Sequence, residues 1–464
     1  MATSSPTRVL LRERRFVLLA SARTISVLGD GFARVALAFG VIAVPGSTPA
    51  QLSLVLACQA VPQLLLILVG GVLADRFSRS GLMVIADVLG TVAYGGLAVM
   101  FLTGDAPIPA VALLATLAGV ATALFAPAMT GVVPEVVPRE RLQEANALLG
   151  VARNGAMVLG LALSGVAVAL VGAGWALALN AVSFLASAAL IRAMRLPRLL
   201  RVSVGSGWSD LRHGWREFVS RQWLWVVVVQ YAFVVAAVGA NVGVLGPLTA
   251  ERDLDGASSW ALIVTAQALG TVAGAGLAAR LRPRRPMLLA VLATFPTALP
   301  MVLLGAGAPL WTIVAAMFAA GVAGDVFGVL WTTTMQREVP PDALSRVSSY
   351  DWFGSLALAP LGILAAGPVA AAVGPGTALL GCSGLVVVAT LAALLSPQVR
   401  TLRAPVTEEA PVPEEAPVPE EAPVTEEASV TEGAPDAGEA PDAGEDVRPA
   451  SGETAGRTHI REGG

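Results

Sequence analysis

Arg23, Asp30 and Arg34 stand seven and four residues apart inside one apolar stretch near the N-terminus. On a helix those spacings bring all three to one face. An ionisable group near the centre of a bilayer costs at least about 2.5–3.5 kcal/mol by insertion scales, so each needs a reason to be there. Two compatible reasons are open for Asp30. It reaches Arg34 one turn on and forms a structural ion pair facing a bundle interior, or it exchanges a proton or holds a cationic substrate beside Arg34. Asp325 lies midway along a later apolar stretch with no basic residue within a turn, which makes it a second candidate for proton exchange. Asp87 and Asp351 lie nearer the ends of their stretches and read as structural, partnered by Arg153 or Arg346. Gln59, Gln63, Asn241 and Trp331 add neutral polar and aromatic surface. Such groups either pack helices together or line a mostly apolar ligand pocket.

Composition excludes several other chemistries. All 30 basic residues are arginine. Without lysine there is no Walker A phosphate loop and no lysine Schiff base. The two histidines, His213 and His459, fall in unrelated regions, and the two cysteines, Cys58 and Cys382, sit in apolar runs as small packing residues. Neither a metal site nor a cofactor is expected. A membrane-embedded transferase would need clustered aspartates or a catalytic histidine, and neither pattern occurs. No enzyme chemistry and no nucleic-acid partner follow from these residues.

The elements that hold these side chains are membrane helices. The chain is 55% hydrophobic and 14% charged over 464 residues, against about 25% charged for a soluble domain. Segments near the roughly 20 residues needed to span a bilayer recur twelve times, from 16–44 to 375–396. With the N-terminus inside, 23 arginines fall on the inner loops and Arg252 alone on the outer ones. That asymmetry places both termini in the cytoplasm. The expected fold is therefore all-α, about 12 transmembrane helices in two pseudo-symmetric six-helix bundles: 1–197 and 222–403, joined by an amphipathic cytoplasmic linker, 198–221. In the linker, Trp208, Leu211, Trp215, Phe218 and Val219 recur at helical spacing. The halves echo one another, Phe125–Pro138 with Phe327–Pro340 at a shift of 202, and Gly71 onward with Gly276 onward at a shift of 205. From Ala404 the chain is a low-complexity tail of net charge −13, rich in Glu-Glu-Ala-Pro-Val repeats, which reads as disordered. Heavy Ala, Gly and Arg usage without lysine points to a GC-rich bacterium, hence to the cytoplasmic (inner) membrane.

After the second apolar segment the chain reads Gly71-Val-Leu-Ala-Asp75-Arg76-Phe-Ser-Arg79. In that position, with twelve helices in two halves, it resembles the cytoplasmic signature of the major facilitator superfamily. Ser26-Val-Leu-Gly29-Asp30, Phe125-Ala-Pro127, and Pro134-Glu135 through Ala145-Asn146 resemble the drug:proton antiporter group that includes macrolide and enterobactin exporters. The fourth segment lacks the intramembrane arginine of many proton-coupled exporters, and the fifth has Arg153-Asn154-Gly155 where they carry a Gly-Pro motif. The resemblance implies a monomeric secondary transporter that exports a lipophilic small molecule (antibiotic, drug or siderophore) against protons by alternating access. An importer, a uniporter or a non-transporting sensor is the alternative. It also implies a cytoplasmic latch. Asp75 would face the positive end of the eleventh helix, and Arg76 and Arg79 would pair with Glu135.

Overall fold

The computed structural model describes residues 10, 12–76, 78–138, 141–196 and 215–403, with the side chains of 67–76, 127, 130, 143, 341, 342, 345 and 346 left aside. The described residues form helices and no strand. Among the described residues twelve spans are long and apolar enough to cross a membrane. The first six are α1 Arg14–Ile42, α2 Pro49–Arg76, α3 Arg79–Thr103, α4 Ile108–Val136, α5 Leu142–Val171 and α6 Ala173–Ala193. The second six are α7 Gln222–Asp253, α8 Gly256–Ala278, α9 Pro286–Gly305, α10 Leu310–Glu338, α11 Val347–Val373 and α12 Pro375–Leu394. Leu113, Leu170, Val388 and Leu395 are each more than 60% exposed. Apolar side chains left outward at this density suit acyl chains rather than water.

Backbone irregularities interrupt the second half. α7 carries a π segment at Asn241–Leu245, α9 a 3-10 turn at Phe295–Ala298 around Pro296, and α11 breaks between Leu356 and Ala359 just before Pro360. Membrane helices tolerate such breaks when neighbouring groups satisfy the backbone.

Packing follows the expected pseudo-symmetry. Helix α2 packs on α4 as α8 packs on α10, and α1 packs on α5 and α6 as α7 packs on α11 and α12. The match reaches single residues. A β-carbon at Gly119 of α4 would collide with the Gln59 carbonyl of α2, and one at Gly321 of α10 with the Gln267 carbonyl of α8. Small residues of this kind let backbones approach in the absence of a hydrophobic driving force between helices. The pairing also corrects the sequence register. Gly119 and Gly321 keep the shift of 202, but Gln59 and Gln267 are 208 apart, so the Gly71–Gly276 echo lies three residues off the packing register.

Between the halves, α5 meets α8 and α2 meets α11, a pair of contacts exchanged by the same pseudo-symmetry. Their closest points lie toward the end that carries the α1–α2 and α5–α6 connections. Gly165 abuts Ala257 and Ala261, and Gly367 abuts Pro49 and Ser53, with the Gly367 N–H donating to Ser53 Oγ at 2.7 Å. Toward the opposite end, Gly150 and Gly155 of α5 and Gly276 of α8 face open space. Of the linker, residues 215–220 are described and helical. Trp215 and Phe218 stack at 5.7 Å and lie against Tyr350 of α11. Residues 198–214 of the linker, Trp208 and Leu211 among them, and the tail from Ala404 fall outside the described residues.

Candidate functional site

Helix α1 positions the charged face that its sequence spacing implied. Arg23, Asp30 and Arg34 all line one pocket of about 360 Å³ inside the first half. Two charges from other helices join them there, Asp87 of α3 and Arg153 of α5. Arg23 lies over the Phe125 ring of α4, 5.2 Å from its centroid, a cation–π contact that holds its side chain at the wall. The expected Asp30–Arg34 ion pair is absent. Among the described residues neither Arg23, Asp30, Arg34, Asp87 nor Arg153 takes part in an ion pair within 4.0 Å. An i,i+4 spacing permits contact, but here the side chains address the pocket instead of each other.

Asp87 is fully buried, with the Ser187 hydroxyl of α6 beside it and no cation within 4.0 Å among the described residues. The corresponding spot in the second half is neutral and, apart from an unpartnered Gln230 Oε1, paired. Gln230 Nε2 donates to Thr294 at 2.9 Å, and Thr294 and Thr390 share a hydrogen bond at 3.0 Å. The first half has thus placed a carboxyl where the second has a satisfied hydroxyl. The sequence alone makes Asp87 and Arg153 structural, because nothing local shows that α3 and α5 bring them to the face of α1.

A second cavity of about 310 Å³ lies between the halves. Arg34, Asn154 and Met157 belong to its wall as well as to the first-half pocket. Opposite them stand Val242 of α7 with Trp260, Gln267 and Thr271 of α8. The wall is mostly apolar, with Arg34 its only charge among the described lining residues. That combination of size, apolar wall and few polar groups suits a small organic ligand.

The remaining candidates are dispersed. Gln59 donates to the Tyr94 hydroxyl of α3 at 3.0 Å, inside the first half. Gln63 is exposed on α2 and lines neither cavity. Asn241 is buried in the π segment with its Oδ1 unpartnered, next to the cavity residue Val242. Asp325 is seated against Gly274 of α8 rather than in either cavity, with one oxygen buried and unpartnered. Trp331 and Asp351 are partners. Trp331 Nε1 donates to Asp351 Oδ2 at 3.1 Å and Ser355 Oγ to Oδ1 at 3.1 Å, so Asp351 is served by its own half and not by Arg153. Both line an aromatic pocket of about 300 Å³ with Tyr231, Phe327 and Trp352.

At the α2–α3 turn, Arg79 pairs with Glu135 of α4 at 3.4 Å and donates to the Gly131 carbonyl. Helix α2 runs through Gly71, Asp75 and Arg76, whose side chains fall outside the described residues.

Comparison with known proteins agrees with this architecture. The family model of the Major Facilitator Superfamily matches residues 19–356. The uncharacterized MFS-type transporter YkuC of Bacillus subtilis is 26% identical over 354 residues, 73% of this chain and 81% of the relative. The enterobactin exporter EntS of Shigella boydii is 26% identical over 348 residues, with the same coverages of 73% and 81%. Among solved structures, the nucleoside transporter NupG aligns with a TM-score of 0.63 at 16% identity, over 82% of this chain and 98% of that one. A bacterial homologue of the human lysosomal transporter Spinster, solved inward-facing and unoccupied, gives 0.64 at 16% identity, over 83% and 98%. At these identities the structural likeness establishes the fold.

Proposed function

We propose, from the premise that this chain belongs to the Major Facilitator Superfamily, that it exports a lipophilic small molecule across a bacterial cytoplasmic membrane by proton-coupled alternating access. Membership makes it a multi-pass transporter of small molecules rather than an enzyme. The observation that carries the finer reading is the cavity between the halves. Its walls come from both bundles, and the close inter-half contacts at Gly165 and Gly367 lie toward the end opposite the α2–α3, α4–α5 and α6–α7 connections. Those connections hold the arginines that the positive-inside rule assigns to the cytoplasm. The arrangement is that of an inward-open state, ready to load from the cytoplasm. The enterobactin exporter relative supports the outward direction.

Coupling is assigned to Asp30, which shares a pocket wall with Arg34, and Arg34 in turn belongs to the central cavity. A proton there changes the charge seen by the substrate site, and a group that differs between the two open states biases their balance. The test is uptake of lipophilic antibiotics and dyes into inverted vesicles under an imposed pH gradient. Gradient-dependent accumulation is expected, falling at least about tenfold in Asp30→Asn. Equilibration that ignores the gradient and is unchanged by Asp30→Asn contradicts the coupling.

One observation favours a second reading, uptake together with protons. Asp30 and Asp87 share their pocket with three arginines, so protonating a carboxyl makes the pocket more positive, and a proton and an anion would load together. Flux in right-side-out vesicles, inward and stimulated by external acid, would select that reading.

A further inference from the structure

We infer that the substrate is an organic anion with an apolar body, its charged head held by Arg34 and Arg153 and its body laid in the central cavity. This rests on the reading that the cavity between the halves is the transport site. The sign of the charge comes from the pocket wall. Arg23, Arg34 and Arg153 face Asp30 and Asp87 in one pocket. With both carboxylates ionised the wall carries a net charge of +1, and with both protonated +3. The pocket is therefore net positive in every protonation state.

The arginines are not consumed by one another's partners. None of the three takes part in an ion pair within 4.0 Å among the described residues. Arg23 is engaged by the Phe125 ring. Arg34 and Arg153 are exposed and both line the first-half pocket, Arg34 also reaching the central cavity; among the described residues Arg153 makes a long 3.4 Å contact to Asn154 Oδ1. Two guanidinium forks from α1 and α5 that converge on one space fit a carboxylate, sulfonate or phosphate, each of which takes bidentate hydrogen bonds. Among the described lining residues the second half offers no competing charge at the central cavity. Its contribution there includes Val242, Trp260, Val264, Gln267 and Thr271, an apolar and aromatic surface with two neutral polar groups. A cationic amphiphile would meet Arg34 at this junction and would have to reach Asp30 past it.

Asp30 acquires a defined sign in this scheme. Ionised, it opposes the bound anion, so neutralising it strengthens anion binding and loads proton and anion together, which is the linkage of the uptake reading rather than of export. A cation site would behave in the opposite way.

The experiment is equilibrium binding of three fluorescent probes on one aromatic scaffold to the full chain in lipid nanodiscs, with empty nanodiscs subtracted. The probes are pyrenebutyrate, pyrenemethanol and pyrenemethylamine. Saturable binding of pyrenebutyrate, at least about tenfold tighter than that of pyrenemethylamine, is expected. Arg34→Gln and Arg153→Gln should each weaken it about tenfold, Arg34→Lys should weaken it less, and Asp30→Asn should tighten it. Equal or tighter binding of the amine overturns the inference. So does absence of saturable pyrenebutyrate binding, a loss under twofold in both Arg→Gln variants, or weakening in Asp30→Asn. Binding at equilibrium is blind to transport direction. Failure of gradient-driven flux with this charge preference intact would therefore sink the export reading alone.

Discussion

Replacing Gly367 by leucine should leave a folded protein that no longer transports. The glycine lies where α11 crosses α2, its N–H on Ser53 Oγ, and a β-carbon there would meet the backbone of Pro49. A wedge at this point costs about 1–3 kcal/mol in the conformation in which the halves touch. In an alternating-access cycle the opposite conformation separates these surfaces and does not feel the wedge. The balance between states then shifts roughly 5- to 150-fold. Flux should fall about in proportion, because the cycle must pass through the disfavoured state. The readout beside flux is accessibility. With Cys58 and Cys382 replaced by alanine and a cysteine placed at Val242, an impermeant maleimide added at the α1–α2 end should label the Gly367→Leu variant faster than its parent. Unchanged labelling with normal flux would mean that this contact does not separate during transport.

A different glycine should fail in a different way. Gly321 of α10 abuts the Gln267 carbonyl of α8, within one half. No step of the cycle separates α8 from α10, so Gly321→Val has no conformation in which to escape the clash. It should cost about 3 kcal/mol or more and appear as loss of a monodisperse peak on size-exclusion chromatography. Gly324, one turn further along the same helix, faces open space. Gly324→Ala should be neutral or gain up to about 1 kcal/mol, since glycine in a helix interior is the less favourable residue. The two positions lie on one helix and differ in whether a β-carbon there meets the α8 backbone. A well-folded Gly321→Val protein would show that α8 and α10 are not packed as described.

These contrasts mark what a reader of the sequence can and cannot see. Span number and the charged face of α1 are local properties, carried by apolar length and by helical spacing, and both are present in the fold. The arginine asymmetry likewise needs nothing beyond the loops. The pocket is another matter. Asp87 and Arg153 come from α3 and α5, and only tertiary packing brings them to Arg23, Asp30 and Arg34. Asp325 is an isolated carboxyl in the fold as in the sequence, with one oxygen buried and unpartnered, but its seat against Gly274 of α8 rather than in a cavity is set by tertiary packing. Asp351 looked available to Arg153 or Arg346 because its donor, Trp331, lies 20 residues away on α10. The π segment at Asn241 has no period of its own in an apolar run, so α7 reads as an unbroken helix. The latch residues are half visible. Arg79 and Glu135 make the pair that the signature motif implies, while the gating role drawn from that motif remains a proposal.

The central claim is that the two six-helix halves rock about the cavity between them, so that contact at one end and separation at the other exchange during transport. Two spin-label pairs address it in the same protein in nanodiscs, Leu170 with Asp255 at the end where α5 touches α8, and Val151 with Leu277 at the end where they diverge. Pulsed dipolar distances should shift in opposite senses when pyrenebutyrate is added, the first pair lengthening as the second shortens. Distances that move together, or that stay fixed in protein shown to transport, would contradict a rocking mechanism.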